Sequence, residues 1–396
     1  MDETMDWKDL ESRYYHPAFR RLPVTLVRGQ GTRVWDDEGK SYLDFAAGIA
    51  VSTLGHGDPE LCRAVSQQVE TLAHTSNLFY TMPQLEVAQR LVENSDLDRV
   101  FFVNSGGEAG ETCIKIARKW GKANRAGAYE VITTDHSFHG RTLATTAATG
   151  TVAYQEPFAP MPDGFSQVPF NDLGAIEDSI SDKTAAVMVE PMQGEGGMWP
   201  ADVDYIRGLR RLCDAEGVLL VFDEVQTGVG RTGRLFAYEQ FDVVPDVIAL
   251  AKGLGGGLPI GAVLSSEAAS VLVPGDHGST FGGNPVACAA ARVVLDRVTD
   301  NSFLQDVVAK GEYVMSRLRT RASNGLGITD VRGLGLMIGF DMESEDAADQ
   351  VVSRARDNGL LLIKAGAATL RIVPPLTVTR DELEQGLDAI DVARGV

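Results

Sequence analysis

Chemistry in this chain is suggested first by charged residues placed at the ends of apolar runs. The run GVLLVF closes in the adjacent carboxylates Asp223 and Glu224, and DVIALA is followed at once by Lys252 and the glycine-rich GLGGG. A charge buried at the end of a core strand is costly unless a partner compensates it. An amine in an apolar setting loses its preference for the protonated form and becomes a nucleophile toward carbonyl carbon. Taken alone, Lys252 also fits a lysine that snorkels from a strand terminus.

Other apolar runs end in equally suggestive residues. NSGGEAGET sets Gly106 and Gly107 before a helix whose first turn carries Glu108 and Glu111, so free backbone N–H groups point outward, as in a phosphate cradle. SFHGRT crowds Phe138, His139, Gly140 and Arg141 together, and an aromatic beside a cation suits a flat anionic ligand. EPMQGEGG places Glu190 and Glu195 about a glycine turn, and HGSTFGGNP holds Ser279 and Thr280 among three glycines.

These sites need elements to carry them. The runs RVFFVN, YEVITT, TAAVMVE, GVLLVFDE, DVIALA and GAVLSS read as strands. Between them, Cys113, Ile116, Ala117 and Trp120 recur at helical spacing over Glu108–Trp120. Near-continuous apolar strands between helices predict an α/β fold with a mostly parallel sheet covered on both faces. Ligands of such sheets bind beyond the carboxyl ends of the strands, so chemistry is expected just after each run. The texture predicts a large domain over residues 51–288, a smaller α+β domain over 289–396, and an N-terminal segment 1–50 that packs with the smaller one. Within that segment, TRVWDDEGKSYLDF reads as a hairpin turning at Asp37, Glu38 and Gly39.

Composition narrows the partners. A net charge of -19 repels phosphate backbones and anionic lipid, which argues against nucleic acid and membranes. No apolar run reaches membrane length, and the acidic start lacks a secretory core, so a cytoplasmic protein is expected. Four cysteines without metal-ligand spacing read as reduced core thiols, and no metal site is expected. The nine lysines against 27 arginines fit either a soluble acidic enzyme or a salt-adapted host.

One cofactor fits the strand-end residues together. Pyridoxal phosphate needs a lysine for its aldehyde, a phosphate nest, a stacking aromatic, and a carboxylate that keeps the pyridine nitrogen protonated. Asp223 suits the last role, because pyridinium and carboxylate compensate each other's burial.

The motifs SFHGRT, EPMQGEGG, LVFDEVQTGVGRTG, ALAKGLGGGLPIGA and HGSTFGGNP, in that order, resemble the class III (ω-amino-acid type) pyridoxal-phosphate aminotransferases of fold type I. The likeness covers nearly the whole chain. It is strongest toward the acetylornithine branch, through DFAAGIAV, DEVQTG, HGSTFGGNPVACAAA and RGLGLMIGF. The resemblance implies that Lys252 takes the cofactor's aldehyde and later carries a proton. It implies that Asp223 pairs with the pyridinium, Gln226 with the ring's phenolic oxygen, and that Phe138 stacks on the ring. Ser105, Gly106 and Gly107 would hold the phosphate. Thr280, with Ser279 beside it facing the substrate, would reach in from a second subunit, so a homodimer with shared active sites is implied. Arg141 and Arg371 would grip substrate carboxylates. Glu195 would cover Arg371 while an ω-amine donor is bound and release it for glutamate.

The implied reaction moves the terminal amine of an ω-amino donor to 2-oxoglutarate, with N-acetylornithine as leading donor, a step of arginine biosynthesis. Ornithine, 4-aminobutyrate and acetyl-lysine or carrier-linked donors are alternatives. Ile49 lies where the family tunes that choice, and its apolar side chain fits an acylated donor. An aminomutase or decarboxylase on the same scaffold, or a non-catalytic binding protein, are the rival classes. One departure stands out: Gly107 and Gly110 replace the family's usual threonine and asparagine, at roughly 1 kcal/mol each relative to alanine in a helix.

Overall fold

The computed structural model describes residues 7–325 and 327–395. The chain first forms an antiparallel meander of β1 (Leu26–Gln30), β2 (Arg33–Asp36) and β3 (Ser41–Asp44). Asp36 closes its turn: one carboxylate oxygen accepts the N–H of Glu38 and Lys40, and the other accepts the Tyr42 hydroxyl. Gly39 supplies the positive φ that the reversal requires.

The apolar runs then build the main sheet. Its strands are β4 (Arg99–Val103), β5 (Glu130–Thr134), β6 (Phe165–Val168), β7 (Thr184–Val189), β10 (Leu219–Asp223), β11 (Val247–Leu250) and β12 (Gly261–Ser265). Between β7 and β10 a short hairpin inserts, β8 (Met192–Gln193) with β9 (Trp199–Pro200). The spatial order is β4-β12-β11-β10-β7-β5-β6. Every residue of β7, β10, β11 and β12 is buried, as strands covered on both faces must be.

One sequence expectation is corrected here. Strand β12 runs antiparallel to both β11 and β4, so the cavity lies before GAVLSS rather than after it. The apolar pattern of a buried strand carries no direction, which is why the run alone misleads.

The helix expected over Glu108–Trp120 spans Gly106–Asn124 and buries Ala109, Cys113, Ile116 and Ala117 against the sheet. Ser105 caps it, its hydroxyl accepting the N–H of Glu108. Gly110 is explained by packing: a Cβ there would stand 2.9 Å from the His139 carbonyl and from Thr145 Cγ2. Gly107 has no such reason, since the nearest atom to an added Cβ is 3.8 Å away.

A second sheet of β13 (Ile328–Leu334), β14 (Met337–Met342), β16 (Ile363–Lys364) and β17 (Thr369–Ile372) has the order β13-β14-β17-β16. Strand β15 (Leu360–Leu361) leaves it to pair in parallel with β3. One apolar cluster runs from Phe45 through Leu220 and Phe222 to Phe340, Leu370 and Leu387, joining the N-terminal meander to both sheets.

All four cysteines are free, and Cys113, Cys213 and Cys288 are buried. Cys62 is exposed, contrary to the expectation of core thiols. It lies on the helix Pro59–Thr71, which buries no residue completely. Among the described residues no helix is long and apolar enough to cross a membrane.

Candidate active site

A cavity of ≈ 590 Å³ opens beyond the carboxyl ends of β4, β5, β7, β10 and β11. Its wall includes Ser105 to Gly107, Phe138 to Arg141, Glu190, Glu195, Asp223, Gln226 and Lys252, together with Gly257 to Ile260 leading into β12. Five of the apolar runs thus converge on one volume, of the size that holds a small-molecule ligand.

Lys252 follows β11 by two residues, in the left-handed region at φ 39°. A residue with a Cβ held there stores strain, which clusters at functional sites. Its Nζ has no hydrogen-bond or ion-pair partner among the described residues. Burial pulls its ammonium down to about 8, with Glu195 opposing and Arg371 assisting. The amine is therefore partly neutral near physiological pH, the form that attacks a carbonyl.

Asp223 is buried at the end of β10. One oxygen accepts the N–H of Val225 at 3.1 Å, and the other lies 2.8 Å from His139 Nδ1. Asp223 therefore has a side-chain partner that the sequence reading did not name: His139, itself fully buried in its side chain, pairs with it. Burial is the largest influence and disfavours the imidazolium, but the hydrogen bond and charge of Asp223, with the charge of Glu190, together raise the His139 pKa. His139 was visible in FHGRT, but nothing in its spacing shows that the end of β5 reaches across β7 to β10. Glu224 points away from the cavity chemistry, accepting the N–H groups of Ala237 and Tyr238.

Glu190 is a second buried acid that sequence reasoning left without a role. Its oxygens accept the N–H groups of Phe138 at 3.0 Å and Gly194 at 3.1 Å, tying the end of β7 to the segments of Phe138 and Glu195. Burial raises it to about 7, against the attraction of His139.

Arg371, buried on β17, donates from Nη1 to Glu195 Oε1 at 2.6 Å and from Nη2 to Oε2 at 3.4 Å. Gln226 bridges them, accepting from Arg371 and donating to Glu195 at 3.4 Å each. Burial works against the Glu195 carboxylate, but the Arg371 charge and hydrogen bond hold it below its ordinary pKa. Arg371 is thus brought from the second sheet to within reach of Lys252.

Arg141 is exposed at the rim and stacks over Tyr154 at 3.8 Å and Phe138 at 5.2 Å. Gly106 is required by close packing, since a Cβ would meet Val225 Cγ1 at 2.7 Å. The first N–H groups of the helix it opens have no intrahelical acceptor. Four expected residues stay off this wall: Arg371, which meets it through its pair with Glu195, and three others. Ser279 accepts the N–H of Gly282 and the Asn104 amide, Thr280 is exposed, and Ile49 is 44% exposed while Val51 lines the cavity.

The family profile "Aminotransferase class-III" matches residues 14–393. The acetylornithine aminotransferase of Caldanaerobacter subterraneus is 47% identical over 96% of this chain and 97% of its own. That of Methanocaldococcus jannaschii is 48% identical over 98% and 97%. The chain belongs to the class-III aminotransferases.

Solved structures of the family agree with the fold. The ornithine aminotransferase of Toxoplasma gondii superposes with a TM-score of 0.93 at 34% identity, covering 98% of this chain and 94% of its own. The N-acetylornithine aminotransferase of Stenotrophomonas maltophilia gives 0.84 at 39% identity, covering 97% of each. Class-III membership makes the chain a pyridoxal-phosphate-dependent transaminase of α/β fold. The cavity fits that group. It holds an unpartnered lysine amine, a buried acid, an aromatic ring and a helix N-terminus with room at Gly107. His139 Nε2 is also buried without a partner.

Proposed function

We propose that this transaminase moves the ω-amine of N-acetylornithine to 2-oxoglutarate, the transamination of arginine biosynthesis. The observation that carries the reading is the Glu195–Arg371 pair, 2.6 Å apart at its closest, whose Glu195 lines the cavity of Lys252. One site must serve a donor whose reacting amine has no neighbouring carboxylate, and then an acceptor whose reacting carbonyl has one. Glu195 compensates Arg371 in the first case and yields to the substrate in the second, so the arginine never stays buried and unpaired. The names of the curated relatives support N-acetylornithine as donor.

Bound pyridoxal phosphate supplies an electron sink for charge developing at the substrate carbon that bears the amine. The residues that would hold it are Lys252 at its aldehyde, Asp223 at the ring nitrogen, and Gln226 at the ring oxygen. Phe138 would hold its face, and Ser105, Gly106 and Gly107 its phosphate. Lys252 Nζ, drawn down to about 8 by burial, is suited to accept and return a proton at the reacting carbon. His139 keeps Asp223 oriented, and Glu190 holds the Phe138 backbone where its ring meets the cavity. Arg141 at the rim is free to take the donor's distal carboxylate.

Thr280 and Ser279 do not line their own cavity, and we assign them to the site of a second copy. A patch of exposed apolar residues supports that homodimer: Leu78, Phe79, Tyr80, Met82 and Phe281 are each more than half exposed. Asn77 ties the patch to the Ser279 loop by donating to the Ser279 and Gly282 carbonyls. Four free thiols, one of them exposed, support a reducing, cytoplasmic setting.

The test is a half-reaction screen that records cofactor absorbance with N-acetylornithine, ornithine, 4-aminobutyrate and N-acetyllysine. N-acetylornithine should react at least about tenfold faster than ornithine at equal low concentration, the scale of a single pocket contact. A preference for unacylated ornithine would sink the assignment of the donor.

A further inference from the structure

One row of the second sheet sets the Glu195–Arg371 pair. Arg332 on β13 lies opposite Gly339 on β14, which in turn lies opposite Arg371 on β17. Both arginines therefore emerge on one face of the sheet, with a glycine between them. On that face sits the turn between β8 and β9, which carries Glu195. Met198 of this turn seats over the glycine, for a Cβ on Gly339 would come within 2.5 Å of Met198 Cβ.

Arg332 holds the residues on either side of Met198. Its Nε and Nη2 donate to the Gly197 carbonyl at 2.8 and 2.6 Å, and its guanidinium lies 3.6 Å from the centre of the Trp199 ring. The other N–H groups reach Asp330 at 2.6 Å, Asp341 at 2.8 and 2.9 Å, and the Thr369 hydroxyl at 3.2 Å. Gly197 and Met198 both have positive φ, at 116° and 60°. Backbone in that region persists only where its surroundings over-determine it. Glu195 stands two residues before the clamped carbonyl, and Arg371 two residues after Thr369.

We infer that Arg332 is a positioning residue for the substrate switch. It clamps the backbone of the Glu195 turn to the strand of Arg371, so Glu195 releases Arg371 by rotation of its side chain while the turn stays in place. The inference rests on the switch reading given above. Glu195 competes with the substrate's carboxylate for Arg371. When the turn is loosened, that competition weakens and a dicarboxylate binds more tightly. An ω-amine donor, which brings no carboxylate to Arg371, then meets a bare buried cation and reacts more slowly.

The experiment uses the holoenzyme and its variants Arg332→Lys and Gly339→Ala, with Glu195→Gln as reference and thermal unfolding as the check on folding. Calorimetry reads the affinity for glutarate, an unreactive dicarboxylate, and cofactor absorbance reads the two half-reactions separately. All three variants should bind glutarate more tightly, by a few-fold to about tenfold, the scale of a hydrogen bond to a charged group. The ratio of donor to glutamate half-reaction rates should fall by a similar factor. Folded Arg332→Lys and Gly339→Ala with wild-type glutarate affinity and ratio would overturn the inference, as would equal losses in both half-reactions. If Glu195→Gln itself leaves both readouts at wild type, the switch reading fails first and takes the inference with it.

Discussion

At the scale of single residues, the site is governed by burial acting on charge. Lys252 is drawn down to about 8 because its surroundings disfavour the ammonium. Only the neutral amine attacks an aldehyde, so uptake of pyridoxal phosphate by the cofactor-free protein should speed up as pH rises toward 8 and level off above it. Stopped-flow absorbance would check this, and a rate still climbing past pH 10 would show an unshifted lysine. Asp223 and His139 act as a unit, the imidazole orienting the carboxylate at 2.8 Å. Asp223→Asn should lower kcat by roughly 10²-fold or more, since a preorganised charge at the reacting group is lost. Single-turnover kinetics would show the loss in the chemical step rather than in donor binding.

At the scale of elements, the strand ends were legible and the contacts across the sheet were not. Buried strands read as continuous apolar runs, so Ser105, Phe138, Glu190, Asp223 and Lys252 could be marked from the points where those runs stop. The reversed direction of β12 leaves no mark in such a run. Neither does the meeting of His139 with Asp223, or of Arg332 with Gly197, because residues 84 and 135 positions apart share no local pattern. The two unusual glycines separate at this scale. Gly110→Ala should destabilise by about 1–3 kcal/mol through crowding against His139 and Thr145, outweighing the helix propensity gained. Gly107→Ala should be neutral or stabilise by up to about 1 kcal/mol, as its Cβ meets only ordinary contacts. Denaturant unfolding of both variants would test the contrast.

At the scale of the whole molecule, one apolar core joins the meander and both sheets, while the apolar segment Leu78–Met82 is left outside. If that segment is the face of a second copy, Phe79→Asp with Tyr80→Asp should leave a particle of 42.5 kDa rather than twice that mass by light scattering. Such a monomer should also lose activity, because Thr280 would no longer reach a partner's cavity. A dimer that survives both substitutions with full activity would contradict the shared site.

The reversal between β11 and β12 has a mechanical consequence. Lys252 is set within the stretch that leaves one buried strand and returns into the strand beside it, running the opposite way. Both ends of that stretch are anchored in the middle of the sheet, so the lysine backbone is a fixed pivot. What moves is the side chain alone, swinging as a lever from one point. Every atom the amine serves in the two half-reactions must therefore lie within the reach of one four-carbon stem, and substrates are selected in part by whether they can bring their reacting carbon into it.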